Sequence, residues 1–299
     1  MTPNPDELAL LAGIAAHPNA DLPRLVFADW LEERGFGLRA EFIRLQCEIA
    51  SKETLPRHAL DAFAYLWKRQ QELIDDHLPE VLGPVAAPLA DARPTLRRGF
   101  VDEVEMHVRA FLPLAELIAG LLPLPGAVSV TNVLALPYEF VRCPHIGPVT
   151  RLSIYDADRM ETQLPDEPLP AEEVAAAVHR LVRLEAISLE AVPLTAPFVG
   201  GTVDTADLFP FPPNLVEMDL SYCHMTDDVA ISFLNAGLFR RLKRIVLGGN
   251  PLTDQTAMEL ADRLGPVRTV EQLNLRFTMI GTAGHAALLA AFGSRVDLF

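Results

Sequence analysis

The side chains best suited to chemistry in this sequence lie between residues 29 and 44. Asp29 and Glu33 are four residues apart, a spacing that places two side chains on one face of a helix. Glu41 and Arg44 are three residues apart and would share a face in the same way. Paired carboxylates at such spacing can bind a metal ion or act as general acid and base. One hypothesis is therefore a hydrolase or metal-dependent enzyme that uses Asp29, Glu33 and Glu41.

The same residues also suit a structural role. Arginines at positions 24, 34, 39 and 44 could donate to these carboxylates and join two helices. The sequence adds no nucleophile, phosphate-binding loop or histidine ligand to the group. The structural interpretation is therefore favoured, with Trp30 and Phe42 as core residues.

The rest of the sequence lacks the common catalytic motifs. It contains no G-x-x-x-x-G-K-[ST], no G-x-G-x-x-G after a strand, no H-E-x-x-H and no C-x-x-C. Cys143 and His145 flank a proline, which provides too few ligands for a zinc site. Cys223 is better explained as a buried residue that supports a turn than as a nucleophile. We therefore predict no cofactor and no metal ion.

Apolar residues at helical spacing predict the elements that hold the N-terminal charges. Four helices are expected, over residues 8–15, 22–34, 40–50 and 58–77. The first ends before His17-Pro18, and Gly35 terminates the second.

One string in these helices is distinctive. Residues 23–35 read PRLVFADWLEERG, and residues 39–46 read RAEFIRLQ. This string closely resembles the repeat-companion domain, a short bacterial module typically placed ahead of leucine-rich repeats. The resemblance covers roughly the first 50 residues. It implies a helical module followed by repeats, and because the family carries no established activity it implies no mechanism.

The last third of the chain repeats an apolar pattern with a period of 27 and then 28 residues. Each block reads L-x-x-L-x-L-x-x-N/C/T-x-L, which is the leucine-rich-repeat signature. The repeated positions are Leu215, Met218, Leu220, Cys223 and Met225, then Leu242, Ile245, Leu247, Asn250 and Leu252, then Val270, Leu273, Leu275, Thr278 and Ile280. The side chain at the asparagine position is expected to bond backbone groups where the chain leaves the sheet.

Each block predicts a short strand, a turn and a capped helix. Helices are expected over residues 227–239, 253–264 and 282–292, with another over 172–184. Thr-Asp pairs at 226–227 and 253–254 are expected to satisfy free amides at the helix starts. Looser matches extend upstream to strands near 101–106, 130–136, 149–157 and 184–194, separated by proline-rich insertions at 164–170 and 209–213.

The predicted fold class is α/β with two domains. Residues 1–95 form the helical repeat-companion module. Residues 96–299 form a leucine-rich-repeat solenoid of about six or seven units, resembling the ribonuclease-inhibitor type. Its strands would form one curved parallel sheet with helices on the convex side, and the repeats are best formed over 184–299. A capping strand is expected at 295–299.

Residues that flank the inward-facing leucines are expected to point out from the concave face of this sheet. They run from acidic in the middle to basic toward the C-terminus, and arginine and tyrosine are frequent binding hot spots. The candidate partner-binding residues are Arg151, Tyr155, Glu190, Glu217, Asp219, Arg244, Gln272, Asn274 and Arg276.

Composition limits the function classes. The formal charge of −15 disfavours nucleic-acid binding, although residues 215–299 carry 8 basic against 9 acidic side chains. No uninterrupted apolar stretch is long enough for a membrane span, and no basic residue precedes an apolar run at the N-terminus. The three cysteines fit reduced thiols, so a cytoplasmic location is expected.

The leading functional hypothesis is a non-enzymatic module that binds a protein partner on the concave face. Such a partner could be basic, and the chain could act as an inhibitor-like protein. The alternatives are the hydrolase or metal-dependent enzyme described above and a structural or assembly protein.

Overall fold

The computed structural model places the chain in two compact units. The first comprises Met1–Glu105 and Glu116–Val128, and the second comprises Met106–Ala115 and Ser129–Phe299. The structure describes residues 4–52, 55–85, 89, 92, 94–120, 126–154, 171–190, 212–235 and 237–298. The predicted proline-rich insertion 164–170 and most of 209–213 lie outside these residues.

The first unit consists of helices and a hairpin. Its elements are α1 (Pro5–Ala16), α2 (Leu22–Glu32), α3 (Gly37–Lys52), α4 (Arg57–Leu60), α5 (Ala64–Leu82), β1 (Thr95–Arg97) and the greater part of β2 (Phe100–His107). The strands β1 and β2 pair antiparallel. The sequence interpretation assigned residues from 96 onward to the repeats, whereas β2 up to Glu105 belongs to this unit.

The expected long fourth helix was wrong in its shape. The chain forms α4, a 3-10 turn at Asp61–Phe63, and then α5, which continues to Leu82. Pro79 lies inside α5 and cannot donate a backbone hydrogen bond. The helix accommodates it because His77 has non-helical angles (φ −137°, ψ 25°), which bend the chain there.

Two apolar clusters hold the first unit together. One joins α1, α2 and α3, and the other joins α3 to α5. The predicted core residue Phe42 is fully buried in the second cluster. Trp30 packs at the edge of the first, where its ring stacks on Phe27 with centroids 5.7 Å apart.

The second unit, together with Glu116–Val128 of the first, alternates strands and helices. Its elements are α6 (Val108–Ala119), β3 (Ala127–Thr131), α7 (Pro137–Arg142), β4 (Arg151–Ser153), α8 (Ala171–Arg180), β5 (Ala186–Ser188), β6 (Glu217–Asp219), α9 (Asp227–Asn235), β7 (Arg244–Val246), α10 (Asp254–Leu264), β8 (Gln272–Asn274), α11 (Thr282–Phe292) and β9 (Val296–Asp297). Helix α11 has the predicted bounds, whereas the helix expected at 227–239 ends at Asn235 and is followed by a 3-10 turn.

The strands form a nine-stranded sheet in chain order, and each pair from β3 to β9 is parallel. The fold is therefore α/β with a mostly parallel sheet, as predicted. The strand expected at 130–136 is wrong, because β3 ends at Thr131 and Val133–Ala135 form a 3-10 turn. No helix among the described residues is long and apolar enough to cross a membrane.

The repeated apolar positions line the core of the second unit. All of those in the three last blocks are buried except Thr278, which is half-buried. Asn250 is 1% exposed, and its Nδ2 donates to the carbonyls of Leu220 (2.8 Å) and Leu247 (2.9 Å). Cys223 Sγ donates to the Leu189 carbonyl at 3.1 Å, and Thr278 Oγ1 donates to Leu275. The side chains at this position therefore bond backbone carbonyls at the turn, as the sequence predicted.

Candidate binding face

The first and third residues of strands β4 to β8 lie on one side of the sheet, which we call the strand face. Each of them is exposed or half-buried except Val246, which is buried. The strands are in register without a shift, so equivalent residues form rows across the sheet. The middle residue of each strand points inward. The first row is Arg151, Ala186, Glu217, Arg244 and Gln272, and the second is Ser153, Ser188, Asp219, Val246 and Asn274.

The first row combines one ion pair with two polar side chains that are unpaired among the described residues. Arg151 Nη1 lies 3.9 Å from Glu217 Oε2, across the small Ala186 on the strand between them. Glu217 therefore pairs with Arg151 and not with Arg244, its neighbour in the strand register. Among the described residues, the exposed side chains of Arg244 and Gln272 have no hydrogen bond or ion pair. These two positions are the most available for a ligand.

The second row supports turns instead. Asp219 Oδ1 accepts from the backbone N–H of Ser221 at 2.9 Å, and Asn274 Oδ1 accepts from that of Arg276 at 3.0 Å. Such bonds fix the chain direction where it leaves a strand. Asp219 and Asn274 were predicted as binding residues, and Oδ1 of each already accepts a hydrogen bond within its own turn.

The remaining predicted face residues differ in availability. Arg276 Nη1 lies 3.7 Å from Asp297 Oδ2, so its charge is partly compensated. Glu190 is half-buried, and its backbone N–H donates to Ser188 Oγ at 3.4 Å. Tyr155 lies outside the described residues.

A cleft of about 520 Å³ opens at the end of the strand face where the strands begin. It contains both unpaired residues of the first row, Arg244 and Gln272. Its lining residues are Glu217, Lys243, Arg244, Glu271, Gln272, Ser294, Arg295, Val296 and Asp297.

Two aromatic residues at the opposite end of the strands were missed by the sequence interpretation. Tyr222 and Phe277 precede the asparagine position of their repeats and are 49% and 74% exposed. Both have positive φ (57° and 58°), a region that is uncommon for bulky residues. Met279, two residues after Phe277, is 71% exposed. The sequence contained a signal for them. The position before the asparagine position is glycine in the middle block, Gly249, but aromatic in the blocks on either side.

The N-terminal carboxylates are held separately by arginines. Arg44 Nη2 donates to Asp29 Oδ1 at 2.7 Å and to Glu32 Oε2 at 2.6 Å, which joins α2 to α3. Glu41 instead accepts two bonds from Arg69 of α5, at 2.7 and 3.1 Å. The hydrogen bonds from Arg69 lower the pKa of Glu41. Asp29 and Glu41 therefore carry separate structural contacts.

Glu33 and the other motif arginines complete this arrangement. Glu33 lies 3.7 Å from Arg34 Nη1. Of the four arginines considered as donors to these carboxylates, Arg34 and Arg44 lie beside them, whereas Arg24 and Arg39 make other contacts. Arg24 donates to the carbonyls of Pro18 and Ala20, and the Arg34 guanidinium lies over the Trp30 ring at 4.1 Å. Arg39 lies 5.5 Å from the Phe27 ring.

Metal-binding geometry is not found in the part of the chain that the structure describes. No three His, Cys, Asp or Glu side chains there are close enough together to hold a metal ion. The trio proposed for the hydrolase hypothesis, Asp29, Glu33 and Glu41, is distributed over three different arginine partners.

The geometry defines an α/β chain whose in-register parallel strands expose a polar face. Neither the protein-family models nor the curated proteins include a match to the chain. The leucine-rich-repeat and repeat-companion interpretations therefore depend on the sequence pattern and on the contacts described above.

Proposed function

We propose that this chain is a leucine-rich-repeat protein with a repeat-companion-like helical module, and that it is a non-enzymatic module that binds a protein partner on the strand face. The observation that carries the proposal is the first row of that face. Arg244 and Gln272 stand next to each other on neighbouring strands, exposed and without a partner among the described residues. Arginine in such a position is a common binding hot spot.

The repeat assignment is supported by contacts that recur at the sequence period. Strands β5 to β8 pair residue for residue without a shift. Cys223, Asn250 and Thr278 each bond a backbone carbonyl at the equivalent turn. A solenoid of leucine-rich repeats is the architecture in which such contacts repeat along the chain.

The N-terminal motif is better explained by internal contacts than by catalysis. Arg44 bridges two carboxylates of α2, and Glu41 is paired with Arg69. A carboxylate held by a guanidinium is a poor acid–base group at neutral pH, because the pair stabilises its charged form. This supports a structural role for the module and disfavours the hydrolase hypothesis.

The aromatic end of the face adds apolar area to the proposed interface. Phe277 and Met279 are among the most exposed large apolar side chains of the described residues. An exposed aromatic in the left-handed region is unfavourable for the isolated chain, and such strain is often found at functional sites. A partner that covers the face would bury these side chains.

Affinity capture tests the proposal. The purified chain is used as bait in lysate of the source cells, with quantitative mass spectrometry of the bound proteins. We expect a protein captured by the wild type to be lost with the double variant Arg244→Ala/Gln272→Ala. Arg109→Ala, at an exposed arginine of α6 that is not one of the strand-face residues of β4 to β8, is the matched control. Equal capture by the double variant and the control contradicts binding on this face.

A further inference from the structure

The cleft at the start of the strands differs in charge from the rest of this acidic chain. Three carboxylates line it, and each lies close to a cation. Glu271 Oε1 is 3.1 Å from Lys243 Nζ, Asp297 Oδ2 is 3.7 Å from Arg276 Nη1, and Glu217 Oε2 is 3.9 Å from Arg151 Nη1. The carboxylates of the cleft are thus already compensated.

Two further cations line the same cleft, and neither has a carboxylate partner in the part of the chain that the structure describes. Arg295 donates to the carbonyls of Val270 (2.7 Å), Ala291 (3.1 Å) and Phe292 (3.1 Å), which fixes its guanidinium in place. Arg244 makes no side-chain contact of this kind among the described residues. Within a chain of net charge −15, the lining of the cleft is balanced, with three Lys and Arg side chains against three Asp and Glu side chains. Because each carboxylate lies close to another cation, Arg244 and Arg295 are the two lining cations that the described carboxylates do not neutralise.

The donors of the cleft match a carboxylate. Arg244 has a planar guanidinium, which can bond both oxygens of a carboxylate in parallel. Gln272 is its register neighbour on the next strand, where Cα atoms are about 5 Å apart. Its amide can donate to the same group, and the exposed Ser294 adds a hydroxyl at the rim. Since Arg295 is held by three carbonyls, it supplies fixed positive charge beside these free donors.

We infer that the cleft binds an acidic side chain of the partner, with the carboxylate bonded by Arg244 and Gln272. The inference rests on the proposed function, because it names the chemistry that the partner presents to the strand face. It differs from the basic partner expected from the net charge. The net negative charge of the chain repels acidic segments of a partner from the rest of the surface. A carboxylate of the partner is therefore bound favourably only in the cleft, where Arg244 and Gln272 can bond it. The arrangement selects a partner by one acidic contact rather than by long-range attraction.

Fluorescence anisotropy with labelled peptides tests the inference on the full chain. The probes are a short peptide rich in aspartate and glutamate, and peptides of equal length with neutral or lysine residues in their place. We expect the acidic peptide to bind most tightly, and its affinity to fall at least about tenfold in Arg244→Gln and to weaken with added salt. Gln272→Leu should produce a smaller loss, and Arg109→Gln should match the wild type.

Two further measurements keep the outcomes separate. Arg244→Glu should reverse the preference toward the lysine peptide, which a merely unfolded variant cannot do, and circular dichroism verifies the fold of each variant. Tighter binding of the lysine peptide by the wild type, or equal binding of the acidic peptide by wild type and Arg244→Gln, overturns the inference. If cellular capture still depends on Arg244 and Gln272 in that case, the proposed function survives and only the partner chemistry is wrong.

Discussion

Asp227, the first residue of α9, accepts hydrogen bonds from Thr253, the residue that precedes α10. Its Oδ1 accepts from the backbone N–H of Thr253 at 2.9 Å, and its Oδ2 accepts from the Thr253 hydroxyl at 2.6 Å. Asp254 repeats the arrangement one unit later, where Oδ1 accepts from the backbone of Gly281 at 2.6 Å and Gly284 at 3.1 Å. The first aspartate of α9 therefore caps the start of α10, and that of α10 caps the start of α11. These bonds couple neighbouring strand–helix repeats of the second unit.

The first prediction concerns pH. Burial alone would raise the pKa of Asp227, but hydrogen bonds from Thr253 and Thr256 outweigh it and lower the pKa. A carboxyl with a lowered folded-state pKa contributes stability above the ordinary value of about 3.9, and that contribution is lost as pH falls through the folded-state value. We expect Asp227→Asn to destabilise the chain at pH 7, with a difference from wild type that shrinks toward pH 3.

Urea unfolding at several pH values measures this difference. Asp228→Asn is the matched control, because Asp228 is exposed on the same first turn of α9 and its carboxylate has no bond to the next helix among the described residues. A loss for Asp227→Asn that is the same at all pH values, or equal to that of the control, would contradict the capping role.

The second prediction concerns the asparagine position. Asn250 donates to three carbonyls and accepts from the backbone N–H of Met225 at 3.0 Å. Replacement by alanine leaves several buried backbone groups unpaired, so we expect Asn250→Ala to lower the free energy of unfolding by about 2–4 kcal/mol. Thr278→Ala removes one bond at the equivalent position and should lose about 1 kcal/mol. Chemical denaturation compares them, and equal losses would show that Asn250 is an ordinary turn residue.

The third prediction separates two effects at a glycine. Gly249 has φ +68°, and a Cβ there would lie 2.4 Å from two ring atoms of Tyr222. Gly237 has a similar φ of +71° but has nothing within 4 Å of that position. Gly237→Ala should therefore lower the free energy of unfolding by about 1–2 kcal/mol, the cost of placing alanine at a positive φ. Gly249→Ala should lower it clearly more, because its Cβ would also meet the Tyr222 ring. Adding Tyr222→Ala to Gly249→Ala should remove the excess; persistence of the excess in thermal melts would argue against ring contact as its cause.

The fourth prediction concerns thiol reactivity. Burial, with the charge of the neighbouring Asp21, raises the pKa of Cys47 to about 12. The thiol is thus neutral in the folded chain at pH 8, and alkylation requires the thiolate. Iodoacetamide followed by mass spectrometry should modify half-buried Cys143 in the folded chain but leave Cys47 unmodified until urea unfolds the first unit. Alkylation of Cys47 as fast as Cys143 would contradict the described burial.

The repeat period allowed much of this architecture to be predicted. Asn250 and Cys223 stand at fixed distances from the leucines, so their role at the turn follows from local sequence. Asp227 also lies at a regular position, but the sequence interpretation assigned it to its own helix. Its partner, Thr253, is one repeat away, and no local rule indicates which helix start it caps.

The candidate site was harder to predict than the strands that hold it. The alternation of side chains predicts that Arg244 and Asp219 lie on the outward side of the strands, and Arg244 is exposed while Asp219 is half-buried. It could not tell that Asp219 bonds its own turn while Arg244 has no partner among the described residues, because these contacts depend on the bend after each strand. The fourth helix failed for a related reason. The apolar stripe over 58–77 is continuous, and the break at Asp61–Phe63 is not marked by glycine or proline.

The last prediction concerns Gln46, which fixes the turn of the β1–β2 hairpin. Its Oε1 accepts from the Gly99 N–H at 2.7 Å, and its Nε2 donates to the Leu96 carbonyl at 3.1 Å. Gln46→Glu keeps the acceptor but places a carboxylate against that carbonyl, which should raise the pKa of the new carboxyl. Stability is then retained below about pH 4.3, where protonation restores a donor, and lost as pH rises through the folded-state value. Amide hydrogen exchange at Gly99 should show wild-type protection near pH 4 and reduced protection at pH 7, whereas Gln255→Glu, at an exposed site on α10, should change neither. Equal protection of Gly99 in Gln46→Glu and wild type at pH 7 would mean that other contacts hold the hairpin. One such contact is the close packing of Gly99 against Ile43, where an added Cβ would lie 2.4 Å from Ile43 Cγ1.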